Sequence, residues 1–456
     1  MQVLPRLSQS FAHELPELVV EWDPADFPDP RVVALNENLA TRFGFDPNAL
    51  RQDPSLLLPS GSDHAPKTVA MAYSGHQFGV YSPRLGDGRA LLLGEVHPEG
   101  GEGLYDIHLK GSGRTPFARG GDGLAPLGPM LREYVVSEAM AALGIPTSRS
   151  LAVIDTGLAV RRETSLPGAV LVRVASSHIR FGTFQLARAN EDVLRRLADY
   201  AIARHYPHLK GDYLGFYSEV MKAQARLVAQ WMGVGFIHGV MNTDNAMVSG
   251  ETIDYGPCAF LDTYKPEAVF SSIDHGGRYS YRNQPAIAQW NLARFGEALL
   301  PLIQDNDAAQ EALSTFPHTY ELAWREVLLT KLGLPSTHDP SVASELLDLM
   351  ESEELDFTSS FRALTDGVPP SDSQAMTAWF TDWKNLSPNR EVMATHNPVY
   401  IPRNFPLQQA LNEAEQGDLS GFHQMVSLVS SPFTPRDGVG EFTESTPVGF
   451  QTFCGT

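Results

Sequence analysis

Cysteine is nearly absent from this chain, since its 456 residues contain only Cys258 and Cys454. Two thiols exclude a framework of several disulfides and a cysteine-rich zinc module. No apolar run approaches the roughly 18 residues that cross a bilayer, because charged residues and glycine interrupt the longest candidates near 150–160 and 169–175. The acidic N-terminal segment has no basic region followed by an apolar one, so it does not read as a signal peptide. We therefore expect a cytoplasmic protein without a membrane span.

Positive charge is also scarce. The chain has 34 lysines and arginines against 54 aspartates and glutamates, which gives a formal net charge of −20. Proteins that bind nucleic acid usually present a basic surface, so we expect no nucleic-acid partner. Hydrophobic residues make up 43% of the chain, enough for a large core. Places where arginines gather in so acidic a chain are candidates for contacts with a phosphorylated ligand.

The pattern of apolar residues changes near residue 180, from strand-like segments with glycine turns to helical periodicity. This change predicts an α+β fold with four parts. They are an N-terminal extension (1–68), a β-rich lobe (69–178), an α-rich lobe (179–350) and a helical C-terminal extension with a tail (351–456). The predicted strands are 91–96, 105–110, 151–153, 157–161 and 170–174. The predicted helices are 31–43, 129–143, 213–232, 284–302, 307–332, 341–349, 371–383 and 407–415.

The most specific motif is the segment from His238 to Asn245, followed by Asp254-Tyr255-Gly256. A kinase catalytic loop has a histidine, a metal-binding asparagine seven residues later and then an Asp-Phe-Gly ligand beyond a hairpin. Asn245 and Asp254 occupy the two ligand positions, and their hard oxygen atoms suit Mg²⁺. The alternative is a turn-rich loop in which these residues are structural.

One element of the kinase pattern fails. The position two residues after the histidine, where a kinase has its catalytic base, is Val240. A valine side chain cannot accept a proton, so an ordinary hydroxyl kinase of this type would be disabled. Asp244 is the nearest carboxylate that could replace the base, although an Asx turn or a helix cap would also explain it.

The β-rich half supplies candidates for the remaining parts of a nucleotide site. Lys110 ends a predicted strand and Glu133 lies on the predicted helix 129–143, as in a kinase lysine–glutamate couple. Glu138 is the weaker partner because it points about 140° away around the helix. A solvated surface location would also explain a lysine and a glutamate at this separation.

Glycine clusters and arginines complete the set of candidates. Gly86-Asp87-Gly88-Arg89 precedes the lysine strand, where a kinase has its phosphate-covering loop, although Asp-Gly is also common in hairpin turns. A second cluster follows the lysine, at 111–114 and 120–123, and a kinase does not need it. Arg173 and Arg180 flank the boundary between the two lobes. Arginine suits bidentate phosphate contact, but ion pairs with the abundant carboxylates are the alternative.

Together these motifs resemble the selenoprotein O family of pseudokinases, which act as protein adenylyltransferases and have a kinase-like, two-lobed fold. The resemblance extends from about residue 70 to the end of the chain, where Cys454 matches the family's terminal cysteine or selenocysteine. The matching segments are Tyr73-Ser74-Gly75-His76-Gln77-Phe78-Gly79, 109–116, Arg132-Glu133-Tyr134, 178–183, the block 238–256, Asn397-Pro398 and Arg403-Asn404-Phe405-Pro406.

The resemblance implies a role for each candidate residue. It implies that ATP binds in a flipped orientation and passes AMP to Ser, Thr or Tyr hydroxyls of protein substrates, while pyrophosphate leaves. Asp244 would accept the proton, and Glu133 would position Lys110. The implied phosphate ligands are Lys110, Arg173 and Arg180; the implied nucleotide-lining residues are Gly86, Gly88, Arg89, Asp122, Gly123 and Asp254; the implied Mg²⁺ or Mn²⁺ ligands are Asn245 and Asp254.

Two other functions stay open at this point: a phosphotransferase acting on proteins or small molecules, and a catalytically dead ATP-binding scaffold. Val240 argues against the first, and the two intact metal ligands argue against the second. UTP is a possible alternative donor. Because Cys258 follows Asp254 by four residues, we also consider a reversible disulfide between Cys258 and Cys454. A buried Cys258 and a free tail thiol are the alternative.

Overall fold

The computed structural model describes residues 4–59, 67–443, 446, 450 and 452. Strands dominate the first part of the chain and helices the second, so the mixed α+β class is confirmed. The strands are β1 (Val19–Glu21), β2 (Arg31–Leu35), β3 (Val69–Met71), β4 (Gly75–Gln77), β5 (Val80–Ser82), β6 (Ala90–Val96), β7 (Tyr105–Lys110), β8 (Arg149–Arg161), β9 (Ser165–Ala175), β10 (Phe236–Ile237) and β11 (Ala259–Phe260).

The α-helices are, in chain order, α1 (Ser10–Glu14), α2 (Glu37–Arg42), α3 (Pro47–Gln52), α4 (Leu127–Ala142), α5 (Phe181–Ala187), α6 (Glu191–His205), α7 (Tyr213–Gly233), α8 (Gln284–Ile303), α9 (Asn306–Ser314), α10 (Phe316–Lys331), α11 (Ser341–Ser352), α12 (Phe357–Asp366), α13 (Gln374–Asn385), α14 (Arg390–Ala394), α15 (Asn404–Glu415) and α16 (Ser420–Val429). In the part of the chain that the structure describes, none of these helices is long and apolar enough to span a membrane.

A seven-stranded antiparallel sheet organises the N-terminal half, with the strand order β1-β3-β6-β7-β9-β8-β2. Its outer strands β1 and β2 come from the segment 1–68, which we expected to be an extension. Helices α2 and α3 of that segment also contribute to a core under the sheet, with Ile107 and Leu109 of β7 and Val172 of β9. The N-terminal segment therefore completes the sheet at both edges and covers one of its faces.

The opposite face of the sheet packs against α4. Side chains alternate between the faces of a strand, so His108 and Lys110 lie on the opposite face from Ile107 and Leu109. Helix α4 runs from Leu127 to Ala142 and ends before Gly144, whose φ of +76° a non-glycine residue adopts with strain. The backbone N–H of Gly128 donates to Oε1 of Glu415 over 3.1 Å. A C-terminal helix, α15, thus satisfies one of the unpaired donors in the first turn of α4.

Several local predictions were wrong. Residues 31–43 form strand β2 followed by α2 rather than one helix, and residues 307–332 form two helices, α9 and α10. Pro317 lies at the start of α10, where its missing N–H costs nothing, and this proline explains the break. The segments 151–153 and 157–161 belong to one long strand, β8, with irregular register against β9. After Asn245 the expected hairpin is reduced to isolated bridges at Met247 and Thr252.

Candidate active site

Most of the predicted site residues line one cleft of about 580 Å³. The cleft lies where the sheet, the loop after β10 and the segment around Asp254 meet. Glu133 lies behind it and reaches it through Lys110. The predicted residues that line the cleft are Gly86, Gly88, Arg89, Lys110, Asp122, Gly123, Arg173, Arg180, Asp244, Asn245 and Asp254.

The lysine–glutamate couple is formed. Lys110 pairs with Leu171 across β7 and β9, which places Arg173, two residues further along β9, on the same face of the sheet. Glu133 extends from α4 towards that face. Lys110 Nζ donates to Glu133 Oε2 over 2.7 Å, and Arg173 donates to the other carboxylate oxygen, Oε1. Glu138, the weaker candidate, instead pairs with Arg149.

Asp254 collects three cations. Its Oδ1 accepts hydrogen bonds from Lys110 Nζ, over 3.0 Å, and from Arg173, while its Oδ2 accepts from Arg180 Nη1 over 2.9 Å. Burial favours the neutral carboxyl, but the charges of Arg173, Lys110 and Arg180 outweigh it and hold the pKa of Asp254 well below its ordinary value. Asp254 has a φ of +62°, a conformation rare outside glycine, and such strain is often found at functional sites.

Arg180 joins the segment around Asp254 to the catalytic loop. Its Nη1 also donates to the backbone oxygen of Asp244 over 2.6 Å, and its guanidinium lies 4.8 Å from the ring centre of Tyr73. The side chain of Arg173 is only 2% exposed. Both arginines therefore make the ion pairs that we had considered as their alternative role, and they also line the cleft.

The loop from His238 to Asn245 is fixed by hydrogen bonds to its neighbours. The Nε2 of His238 donates to the backbone oxygen of Ile253 over 2.9 Å, which ties the loop to the residue before Asp254. Asn245 donates from its side-chain nitrogen to the backbone oxygen of Val240 over 2.9 Å. That bond holds the amide so that its oxygen stays available to a ligand. Through its bond to Ile253, His238 holds this loop against the segment that carries Asp254.

Asp244 has the environment of a proton acceptor. It is 7% exposed, and burial raises its pKa to about 6 against the opposing charge of Arg180. Its Oδ2 accepts a hydrogen bond from Gln77 Nε2 over 3.1 Å. Its Oδ1 is buried without a hydrogen-bond partner among the residues that the structure describes. A cleft-lining carboxylate whose pKa is close to neutrality suits general base catalysis.

Glycine is required at two points of the cleft wall. At Gly86, with φ of +140°, a Cβ atom would lie 2.5 Å from the ring of Phe117. At Gly123, with φ of +74°, it would lie 2.2 Å from the backbone of Gly113. Both glycine clusters thus allow close backbone packing beside the cleft. The segment 86–89 is not a hairpin turn, because β5 pairs with β4 and β6 pairs with β7.

Arginines that the sequence did not single out also line the cleft. Arg162 forms an ion pair with Asp122 over 2.8 Å and donates to the backbone oxygen of Leu124 over 2.8 Å. Arg119 lines the cleft as well, and neither Arg119 nor the predicted Arg89 forms an ion pair within the described ranges. Two sequence features could have indicated these arginines, because basic residues are uncommon in this acidic chain. They are the adjacent pair Arg161-Arg162 and the glycine-flanked arginine in Arg119-Gly120-Gly121.

The oxygen ligands fit a hard divalent cation. In the described part of the chain, no group of three or more histidine, cysteine, aspartate or glutamate residues could hold a metal by itself. Mg²⁺ typically takes one or two protein oxygens and completes its shell with water and phosphate oxygens. The amide oxygen of Asn245 and the carboxylate of Asp254 supply that kind of donor set.

Cys258 is buried, and burial raises the pKa of its thiol to about 11. Cys454, its predicted partner, lies outside the described residues. Thr452 is described, and its hydroxyl donates to the backbone oxygen of Pro257 over 2.7 Å. The C-terminal tail therefore contacts the residue immediately before Cys258.

Converging cations, close-packed glycine segments and hard oxygen ligands are typical of a site for a nucleotide phosphate and its metal. The family model described as protein adenylyltransferase SelO matches residues 6–430. This chain belongs to that family, which confirms the resemblance seen in the motifs.

Several bacterial relatives are similar along their whole length, and each is named protein nucleotidyltransferase YdiU. The protein from Mycolicibacterium paratuberculosis is 51% identical over 486 residues, which cover 99% of this chain and 98% of the relative. The protein from Pseudarthrobacter chlorophenolicus is 51% identical over 483 residues, with the same coverage of both chains. That from Cereibacter sphaeroides is 48% identical, and the match covers 99% of each.

Proposed function

We propose that this protein transfers AMP from ATP to a hydroxyl group of a protein substrate, as its family's description indicates. The observation that carries the proposal is the cluster of Lys110, Arg173 and Arg180 around Asp254, beside a loop whose kinase-base position is Val240. The positive charge of the site and the candidate metal ligands Asn245 and Asp254 support binding of a nucleoside triphosphate. The site has no carboxylate at the position where a kinase activates its substrate.

The cleft suits a nucleotide bound in the flipped orientation. Three buried cations line it, Lys110, Arg173 and Arg180, and two half-buried ones line it as well, Arg89 and Arg162. Two groups of cations could bind the β- and γ-phosphates away from the loop and leave the α-phosphate next to Asp244. We further propose that the two parts of the chain correspond to the lobes of a kinase-like fold, with this cleft between them.

In the proposed reaction, the carboxylate of Asp244, which lines the cleft, accepts the proton of the acceptor hydroxyl. The hydroxyl oxygen forms a bond to the α-phosphorus, and the bond between the α-phosphorus and the bridging oxygen breaks, so that pyrophosphate leaves. Asn245 and Asp254 would hold Mg²⁺ or Mn²⁺, which supplies charge neutralisation at the phosphate oxygens. Lys110 and the arginines stabilise negative charge that moves onto the leaving pyrophosphate.

Label transfer with ATP labelled at the α- or the γ-phosphate tests this function. The wild-type chain is incubated with a cell lysate and with itself as acceptors. We expect protein label from the α-position only, and loss of that label in Asp254→Ala and Arg180→Ala. Transfer from the γ-position only would establish a phosphotransferase instead. Absence of transfer from both, with ATP still raising the melting temperature, would establish a nucleotide-binding scaffold.

The donor nucleotide and the location are part of the same proposal. We propose ATP as the preferred donor and a cytoplasmic location. Competition by unlabelled UTP in the label-transfer assay tests donor choice, because a uridylyl transferase would lose its α-label from ATP at equimolar UTP.

We also propose that a reversible disulfide between Cys258 and Cys454 regulates the site.

A further inference from the structure

The β4–β5 hairpin is attached to the catalytic loop at three successive residues. The backbone N–H of His76 donates to Thr243 Oγ1 over 2.7 Å, and that of Phe78 donates to Asn242 Oδ1 over 3.0 Å. Between them, Gln77 donates to Asp244. These bonds fix the hairpin beside the proposed base, so its outer surface lies next to the place where an acceptor hydroxyl must arrive.

The outer surface of this hairpin is exposed and apolar at its tip. Val80 is 73% exposed and Tyr81 is 47% exposed, and both belong to β5. Next to them a cavity of about 360 Å³ is lined by residues that include His76, Tyr81, Arg188 and Arg294. The residues that line this cavity differ from those that line the nucleotide cleft, so it is a separate site.

Three arginines gather around the hairpin in a chain whose net charge is −20. The guanidinium groups of Arg278 and Arg294 lie 4.9 and 5.1 Å from the ring of Trp290. Trp290 in turn lies 5.2 Å from His76 of the hairpin, and a Cβ atom on Gly79 would lie 3.5 Å from the Arg278 guanidinium. Arg278 is therefore held by aromatic and backbone contacts at the base of the hairpin turn.

These arginines are incompletely neutralised. Arg294 pairs with Glu297 over 2.7 Å. Arg188 and Arg278 make no ion pair with a carboxylate in the ranges that the structure describes. Arg188 is exposed and Arg278 is half-buried, so both leave local positive charge that an acidic partner could contact.

We propose that the β4–β5 hairpin, with Arg188, Arg278 and Arg294, is a docking surface for an acidic, hydroxyl-bearing segment of the protein substrate. Acidic side chains of that segment contact the arginines, and an apolar side chain covers Val80 and Tyr81. The hydroxyl then reaches Asp244 along the hairpin. This inference rests on the proposed function, whose acceptor it specifies.

Peptide binding tests the surface separately from catalysis. Fluorescence anisotropy is measured for a labelled peptide in which one serine and one leucine are flanked by aspartates and glutamates. The matched peptide has asparagine and glutamine at the acidic positions. We expect the acidic peptide to bind the wild-type chain at least about tenfold more tightly, with an affinity that falls as salt is added.

Variants locate the binding to this surface. In Arg188→Gln/Arg278→Gln the preference for the acidic peptide should fall to within about twofold. Arg188→Lys/Arg278→Lys keeps the positive charges and should retain most of the preference for the acidic peptide. Arg31→Gln removes a 72% exposed arginine on β2 and should change nothing. Melting temperatures of all variants check that each is folded.

Equal binding of the two peptides, no measurable binding of either, or equal loss in Arg31→Gln would overturn the docking proposal. None of these outcomes depends on AMP transfer, so they are distinguishable from a failure of the proposed function. Where α-label transfer occurs, the glutamine variants should raise the KM for the acidic peptide and leave the KM for ATP unchanged.

Discussion

Gln77 donates a hydrogen bond to Oδ2 of Asp244, and the opposite carboxylate oxygen of Asp244 has no partner among the described residues. The bond restrains the orientation of the Asp244 carboxylate beside the cleft. The family motif that contains Gln77 carried no assigned role in the sequence, and the structure gives it one: Gln77 is a positioning residue for the proposed base.

Replacement of Gln77 by leucine should therefore lower kcat for AMP transfer. A hydrogen bond to a charged group contributes about 1.5–3 kcal/mol, so we expect a loss of roughly ten- to a hundredfold. The KM for ATP should stay within about twofold, because in the described part of the chain Gln77 makes no bond to Lys110, Arg173 or Arg180, the proposed phosphate ligands.

Steady-state transfer kinetics with α-labelled ATP measure the effect of Gln77→Leu. Gln408→Leu is a suitable control, because the half-buried Gln408 side chain on α15 hydrogen-bonds only to Asn412 within the described chain. An unchanged kcat in Gln77→Leu, or a change in KM for ATP alone, would contradict the positioning role.

We expect Arg89 to contribute to nucleotide binding and not to the stability of the fold. It lines the cleft and makes no ion pair within the described ranges, whereas Arg173 and Arg180 are engaged with Asp254. Arg89→Gln should therefore raise the KM for ATP by roughly tenfold to a hundredfold, the range for loss of a charge-assisted hydrogen bond. Its melting temperature without nucleotide should not change.

The measurement for Arg89 combines thermal unfolding with and without ATP. We expect ATP to stabilise Arg89→Gln less than the wild type, because ligand stabilisation follows affinity. The matched control is again Arg31→Gln, on the edge strand β2. Equal stabilisation of Arg89→Gln and wild type by ATP would show that this arginine does not contact the nucleotide.

Lys331 is a buried lysine whose contribution to the free energy of unfolding should depend on pH. It is 4% exposed, its Nζ lies 4.3 Å from the ring centre of Phe361, and burial lowers its pKa to about 7. The ordinary pKa of an unfolded lysine is about 10.4. Between these two values the unfolded chain binds more protons than the folded one, so the free energy of unfolding contributed by Lys331 rises with pH in that window.

Lys331→Met keeps the aliphatic stem and removes the titrating amine. We expect this variant to be more stable than the wild type at pH 7, by on the order of a few kcal/mol, and the difference to shrink as the pH approaches 10. Denaturant unfolding of both proteins at pH 7 and near pH 10 measures the difference in the free energy of unfolding. Lys384→Met is the matched control, since exposed Lys384 also lies over a ring, that of Phe380 at 5.4 Å. A pH-independent difference would contradict the prediction.

The redox proposal concerns Cys258 and Cys454. The tail contact between Thr452 and Pro257 brings the described end of the chain to the residue beside Cys258. We expect dithiothreitol to change both the mobility of the wild-type chain on a non-reducing gel and its transfer activity. Cys454→Ser and Cys258→Ser should each abolish the response. A wild-type chain that is indifferent to reductant would exclude the disulfide.

Local patterns determined much of the site, because its chemistry is carried by short segments. The spacing of Asn245 and Asp254 from His238 and the substitution at Val240 are read directly from the chain. The pairing of Lys110 with Glu133 was predicted as well, since strand and helix periodicity fix which face each side chain occupies.

The roles of the arginines required the tertiary structure. Arg173 and Arg180 both bind Asp254, which follows them by 81 and 74 residues, and no periodicity links positions so far apart. The same holds for Arg162, which reaches the cleft only because the long strand β8 carries it beside Asp122.

The sequence by itself determined the family, the α+β class, the candidate positions for metal ligands and the absence of the usual kinase base, because these depend on residue type and short spacing. Only the tertiary structure decided that residues 19–35 form both edges of the sheet, that Gln77 holds Asp244, and that three cations meet at Asp254. Each of these facts joins segments that are distant in the chain. Long-range contacts of this kind are set by how all the elements pack together, and a local pattern carries no record of them.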